Sequence, residues 1–358
     1  MENRGPKLGC QSGPSTDEHF EFLARFGVRH ISASPIIREP GRVCPTVGEL
    51  EELRALAQRH GLSVDMTDSV LLRSTLIDDE NHPAIMLGDD PQRDRDIGAF
   101  QQLLRNCAAA GIGTVKYNLS LLGVVRNRVV AGRGGVAYGG WKLGVDVEES
   151  ALTRAGLVDE SIYWERIRYF LERVVPVAAA CKVRIACHPH DPGLPAEGYR
   201  GVQCVLGSVT GLERFLSIEE SPYHGLNFCQ GTVCSQLADP AGEIFDVIRR
   251  FGRRGKLFNV HIRNIRGRRG DFVETFPDDG DIDMLRAVRT YREVGYDGML
   301  MPDHVPLLPL AGAGDPYAYN YGASNPAADG HRESFAFAYG YLRGLLQATE
   351  PARGIQSP

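Results

Sequence analysis

The chain has 358 residues, 43% of them hydrophobic and 24% charged, with a formal net charge of −5. This is ordinary globular composition, long enough for one large α/β domain with elaborated loops and too evenly mixed to require two unrelated ones. The negative balance gives no general attraction to nucleic acid, and no apolar run approaches the length of a membrane span, so neither a nucleic acid nor a membrane is an expected partner. The arginine-rich pieces, Arg249, Arg250, Arg253 and Arg254 and then Arg266, Arg268 and Arg269, are local and read as solvated faces, although one such arginine could serve an anionic small substrate. Eight cysteines are scattered through the chain, several in apolar strand-like runs, and positions 1–6 are polar rather than leader-like. A reducing cytoplasm is the expected location.

Short apolar runs alternate with longer amphipathic stretches, which predicts a parallel sheet wrapped by helices. The first strand is expected near 7–10, then a helix over 16–26 capped by Ser15 or Thr16. A second strand over 28–33 leads to a helix over 47–60 that stops at Gly61. The third strand, 63–66, is followed by a long loop and a helix over 94–110, and the fourth, 113–118, by a glycine-rich stretch over 120–141 with no helical period. A loop of that length in a compact domain usually shapes an active site, so it is expected to hang over the barrel mouth. Strands five to eight fall at 184–188, 226–229, 257–261 and 299–303, with helices over 162–180, 209–217, 240–251, 282–294 and 332–348. The expected architecture is a single (β/α)8 TIM barrel over 1–349 with a frayed tail over 350–358.

Each of the last four strands closes on a metal-ligating side chain: His188, Cys229, His261 and Asp303. One such residue at a strand end is ordinarily packed or hydrogen-bonded. Four at the same position in consecutive units are different, because the C-terminal ends of barrel strands converge on one mouth. Two imidazoles, a thiolate and a carboxylate suit a divalent transition metal. Around them, His304 directly follows Asp303 and is a candidate to move protons; its alternative is a hydrogen-bonded loop histidine. Arg263, two residues beyond His261, could clamp a substrate carboxylate or could pair with Asp303 or Glu274. Lys116, Tyr117 and Asn118 end strand four, and at least one should touch substrate. His190 and Asp191 follow His188 in the same turn, His190 as a substrate contact and Asp191 as a group that could orient the ligand histidine.

The segments CHPHDPG (187–193), SPYHGLNFCQGTV (221–233), HIRNIRGRRGDFVETFPDDGDIDM (261–284), GYDGMLMPDH (295–304) and YLRGLL (341–346) resemble, in the same order, those of the mannonate dehydratase family. AGIGTVKYNLSLLG (110–123) is a weaker match. The resemblance implies a xylose-isomerase-like barrel that converts D-mannonate to 2-keto-3-deoxygluconate. The family's metal ligands fall on His188, Cys229, His261 and Asp303, the implied ion is Mn²⁺ although another divalent metal would also fit the ligand set, and the family's proton-transfer histidine falls on His304. Three positions depart from the pattern. Pro277 stands where the family has a histidine, Glu333 where it has a catalytic tyrosine, and Lys116 where its Cys-Tyr-Asn-Phe begins; Tyr317, Tyr319 and Tyr321 are expected to substitute for the tyrosine, Tyr319 as a substrate contact.

The expected function is therefore a metal-dependent sugar-acid dehydratase, with His304 and either Lys116 or a tyrosine such as Tyr117 sharing the proton transfers, acting as a cytoplasmic homo-oligomer on a small sugar acid. An isomerase, epimerase or lyase on a keto-sugar or modified glycoside would use the same metal logic, and the altered residues at Pro277 and Glu333 favour it. A non-catalytic sugar-binding protein is the alternative of another class.

Overall fold

The computed structural model describes residues 5–145, 151–308 and 331–350. Eight parallel strands, Lys7–Ser12, His30–Ala33, Ser63–Asp68, Thr114–Asn118, Arg184–His188, His224–Cys229, Leu257–His261 and Met299–Met301, close into a barrel. The ring is sealed where the last strand pairs with the first, Met299 opposite Lys7 and Leu300 opposite Leu8. Each strand is followed by a helix: Asp17–Arg25, Val47–Arg59, Gln92–Ala110, Glu160–Cys181, Val209–Ser217, Pro240–Gly252, Met284–Glu293 and His331–Ala348. This is the (β/α)8 barrel expected from the alternating pattern.

The helix starts follow local chemistry. Thr16, not Ser15, caps the first helix, and Thr46 forms a reciprocal capping box with Glu49 at the second. Ser208, Asp239 and Asp283 cap later helices in the same way, and Gly61 closes the second helix at φ 72°, where a side chain would be strained. The outer core lies between strands and helices, with Ile185, Leu226, Phe228, Val260 and Leu300 facing outward. A separate cluster of Met66, Ala186, Phe258, Met299 and Met301 fills the barrel interior. The mouth therefore has an apolar floor.

The 120–141 stretch is not irregular, as its glycines suggested. Arg128–Ala131 and Ala137–Lys142 join Ile265–Arg268 and Asp271–Glu274 in an antiparallel four-stranded sheet beside the barrel. Gly140 is needed there because a Cβ at that position would lie 2.1 Å from the Phe272 carbonyl oxygen. Only the segment before this sheet reaches the mouth, through Ser120, Gly123 and Val124. All eight cysteines are free, and no helix among the described residues is long and apolar enough to cross a membrane. Positions 351–358 of the expected tail lie outside the described residues.

Candidate metal centre and active site

Side-chain alternation places the ligands. Ala186 and Met301 point into the barrel, so His188 and Asp303, each two residues on, point inward at the mouth. Asn227 and Cys229 stand in the same relation on the sixth strand, and Asn259 and His261 on the seventh. One ligand atom from each of His188, Cys229, His261 and Asp303 lies within 4.8 Å of the others. Cys229 Sγ is 3.7 Å from Asp303 Oδ2, His261 Nδ1 is 3.4 Å from the same oxygen, and the two imidazole centroids are 5.3 Å apart.

These four residues fit a divalent cation. His188 Nδ1 lies 2.7 Å from the Pro189 carbonyl oxygen; donating its proton there fixes Nε2 as the nitrogen with a free lone pair. Burial pushes the His188 imidazole down to about 4, outweighing Asp303 and Asp191, so it is neutral as a ligand must be. His261 Nδ1 is buried without a hydrogen-bond partner, while Nε2 sits 3.2 Å from the Asn227 amide. For Nδ1 to offer its lone pair, Nε2 must carry the proton and give it to the amide oxygen, an orientation reached by turning the isosteric amide over. Burial alone would raise the Asp303 carboxyl; its interactions with His304, His261 and Arg263 hold it well below its usual range. An anionic Asp303 and a Cys229 thiolate would neutralise a doubly charged ion.

Beside the ligands lies a buried charge network that ties the barrel to the accessory sheet. Glu274, from the strand Asp271–Glu274, meets Arg126, Arg263 at 2.5 Å and His304 Nδ1 at 2.8 Å. Arg263 also reaches Asp191 at 2.9 Å and Thr232 Oγ1 at 2.8 Å, and Arg126 reaches Asp191 at 2.9 Å. Arg263 is only 1% exposed at its side chain, so its guanidinium is consumed by these partners and does not clamp a substrate carboxylate. The structural pairing forms instead, with Glu274 at 2.5 Å and, more distantly, with Asp303 at 3.9 Å. Asp191 likewise faces Arg126 and Arg263, and it is the Pro189 carbonyl that orients His188. A Cβ on Gly231 would lie 2.4 Å from Arg263 Nε, so the glycine of the LNFCQG motif leaves the space in which this arginine lies.

His304 adopts φ +47°, a left-handed conformation costing roughly 1–3 kcal/mol for a non-glycine residue and usually held in place by its surroundings. Here the Glu274 carboxylate holds Nδ1, and Nε2 lies on the Asp303 side, 3.8 Å from Oδ1. Burial lowers the imidazole, but Asp303 and Glu274 outweigh it and the net shift is upward.

Strand alternation divides the fourth-strand trio. Lys116 and Asn118 line the mouth, and Lys116 Nζ sits 3.3 Å from Asp68 Oδ1. Tyr117 faces outward, 1% exposed and packed edge-on to Phe100 and tilted against Phe170, so it is a core residue and not a catalytic one. His190 borders the cavity, but its Nε2 contacts the Leu119 carbonyl at 2.7 Å and Tyr163 Oη at 3.1 Å, and its Nδ1 accepts from Leu206 N–H. Both ring nitrogens are occupied, which makes it a brace for the mouth and not a substrate contact. Tyr317, Tyr319 and Tyr321 lie outside the described residues. Glu333 is exposed on the last helix, and the Pro277 carbonyl accepts from Asn264. The clustered arginines 249, 250, 253 and 254 pair with acids on the outer surface. Gln11, Asp68 and Ser74 were not anticipated, although Asp68 ends the third strand and Gln11 is the last but one residue of the first, where strand-end polar residues were the signal for the metal ligands.

The closed eight-stranded parallel barrel defines the fold as xylose-isomerase-like, here with an inward-facing His₂CysAsp cluster that could hold a metal ion. At the level of fold, a xylose isomerase domain protein from Alicyclobacillus acidocaldarius superposes with a TM-score of 0.59 at 16% identity, covering 97% of this chain and 99% of that one. A mannonate dehydratase structure from Streptococcus suis gives 0.77 at 22% identity, covering 99% and 97%. The family model for D-mannonate dehydratase (UxuA) matches residues 139–323. Mannonate dehydratase 1 of Halalkalibacterium halodurans is 30% identical over 299 residues, 74% of this chain and 78% of its own. The chain belongs to the D-mannonate dehydratase family, and with it to the sugar-acid hydro-lyases.

Proposed function

We propose that this protein, acting as one catalytic unit over 1–349, dehydrates D-mannonate or a closely related hexonate to a 2-keto-3-deoxy acid, with Mn²⁺ held by His188, Cys229, His261 and Asp303. The observation that carries this reading is the convergence of those four side chains beside His304 at the barrel mouth. When bound, a divalent ion supplies Lewis-acid stabilisation of the negative charge that develops as the proton on the carbon next to a carboxylate leaves. The protein's own groups handle the protons. His304, held at Nδ1 by Glu274, presents Nε2 on the ligand side to take the C2 proton. Lys116, which lines the same cavity, stands to protonate the departing C3 hydroxyl. The C2–H and C3–O bonds break, water leaves, and the resulting enol becomes the 2-keto acid. His190 braces the wall of the site rather than contacting substrate, and Asn118 is placed to hold a substrate oxygen. The free cysteines support a reducing, cytoplasmic setting.

The test is turnover of hexonates by Mn²⁺-reconstituted protein, followed by assay of the keto-deoxy acid. D-Mannonate is expected to be dehydrated. Isomerisation or cleavage of a keto-sugar with no hexonate dehydrated would replace this reading.

A further inference from the structure

Beneath the metal cluster runs a buried polar chain that an apolar floor does not call for. Asn227 and Asn259 are paired directly across the sixth and seventh strands, each two residues before a candidate ligand, and both are fully buried. Buried amides cost stability unless they are hydrogen-bonded, and these two bond to each other and to His261. Asn259 Nδ2 donates to Asn227 Oδ1 at 2.5 Å and touches Met301 Sδ at 3.1 Å, while Asn227 Nδ2 lies 3.2 Å from His261 Nε2. A polar atom is left over at each end of the chain. His261 Nδ1 faces Asp303 Oδ2 at 3.4 Å with no hydrogen-bond partner, and Asn259 Oδ1 has none either.

Such a chain has two self-consistent orders. In the first, the Asn259 amide donates to the Asn227 oxygen, the Asn227 amide donates to a bare Nε2, and the imidazole proton sits on Nδ1, directed at the Asp303 carboxylate. In the second every bond is reversed: Nε2–H donates to the Asn227 oxygen, the Asn227 amide donates to the Asn259 oxygen, and Nδ1 is bare. A mixed order would set two N–H groups or two oxygens against each other at 2.5 Å, so the isosteric amides turn together. The charge beside Nδ1 selects between them. A bare Nδ1 next to a carboxylate oxygen opposes two lone pairs, which favours the first order, whereas a cation between them attracts both and favours the second.

Resting on the metal centre proposed above, we propose that Asn227 and Asn259 are positioning residues for His261, a relay that keeps the proton on Nδ1 while no ion is bound and reverses when a divalent ion binds, freeing the Nδ1 lone pair. Neither residue is one of the four candidate ligands. Turning two sealed amides is then part of the cost of loading the site. A carboxylate at position 227 would accept from Nε2–H and from the Asn259 amide alike, and would remove the need to turn.

Two measurements test this, neither of which uses turnover. Nitrogen-15 spectra of histidine-labelled protein, first chelated and then loaded with diamagnetic Zn²⁺, read which His261 nitrogen carries the proton, the signal being assigned by its loss in His261→Gln. Wild type is expected to carry it on Nδ1 when chelated and on Nε2 when loaded, and Asn227→Asp to carry it on Nε2 in both. Titration with Mn²⁺, followed by the paramagnetic resonance of the free ion, gives Kd. Asn227→Leu is expected to weaken binding roughly ten- to a hundredfold, and Asn227→Asp to bind at least as tightly as wild type. A side chain that merely filled space would give the two variants the same Kd. Equal Kd for the two variants, or the same nitrogen protonated in chelated and loaded wild type, overturns the relay and leaves the metal centre standing; if Asn227→Leu does not fold, the wild-type spectra decide by themselves. Wild type that binds neither ion overturns both.

Discussion

Glu274 Oε1 lies 2.8 Å from His304 Nδ1, and the two residues come from different layers, one from the accessory sheet and the other from the loop after the last barrel strand. Glu274 shares the charge of Arg126 and Arg263 with Asp191, so its loss leaves two buried cations on a single carboxylate. Glu274→Ala is expected to cost roughly 3–5 kcal/mol of stability, read from urea denaturation, as is usual when one member of a buried ion pair is removed. Glu274→Gln, which keeps shape but not charge, is expected to retain metal while lowering turnover at least tenfold. Metal-loaded Glu274→Gln with wild-type turnover would show that His304 needs no carboxylate behind it.

His304 itself is expected to separate chemistry from assembly. His304→Asn should bind metal almost normally, since none of the four ligands is changed, and lose turnover by roughly 10²-fold or more, the usual effect of removing a general acid or base. Wild-type turnover per bound ion in that variant would hand the proton to Lys116.

For the metal, the expected stoichiometry after reconstitution is one divalent ion per chain, and Cys229→Ser should reduce it measurably by elemental analysis because Cys229 is one of four ligands. Chelation should also lower the unfolding midpoint, since ligand at about 1,000 times its Kd contributes roughly 4 kcal/mol to the folded state. An identical midpoint with and without chelator would mean that the cluster binds nothing.

Strand parity yields a paired prediction on neighbours. Lys116→Met should depress turnover at least tenfold, whereas Tyr117→Phe, altering a ring sealed between Phe100 and Phe170, should stay within about twofold of wild type. The opposite ranking in steady-state kinetics would place Tyr117 at the mouth after all.

Buried histidines set the acid limit. Burial depresses His19, His190 and His224 to about 4 from an ordinary value of 6.5, so at neutral pH all three are uncharged in the folded chain. Between these values the unfolded chain binds more protons than the folded one, so stability rises with pH and is lost as pH falls from about 6.5 toward 4. Metal-free protein should lose a few kcal/mol in sum across that window, measured by urea denaturation at successive pH. A flat profile would show that these imidazoles are hydrated in the folded state.

Much of this protein is written locally. Apolar runs of strand length, caps such as Thr46 and Ser208, and stops such as Gly61 depend on neighbours in sequence, so the eight strands and eight helices of the barrel could be placed from them. The metal set was legible for a related reason: a barrel brings strand ends together whatever the loops do, so His188, Cys229, His261 and Asp303 needed only to be recognised as strand-end residues. Tyr117 shows the limit of that logic. Strand ends were identified but side-chain parity within the fourth strand was not applied, and alternation sends Tyr117 into the core while Lys116 and Asn118 face the mouth. On the seventh strand a register shift opposite Leu226 and Asn227 lets Phe258 join the interior cluster while Asn259 and His261 also face in, something alternation alone would forbid. The rest depended on distant pairings. Glu274 and Arg126 become partners of His304, Asp191 and Arg263 only because segments 128–142 and 265–274 form one antiparallel sheet, and hydrogen bonds between residues more than a hundred positions apart leave no local pattern to read. Sequence determined which groups could do chemistry; tertiary structure decided that Arg263 and His190 would be spent on holding the site together, because a buried guanidinium or imidazole satisfies its nearest partners before any ligand arrives.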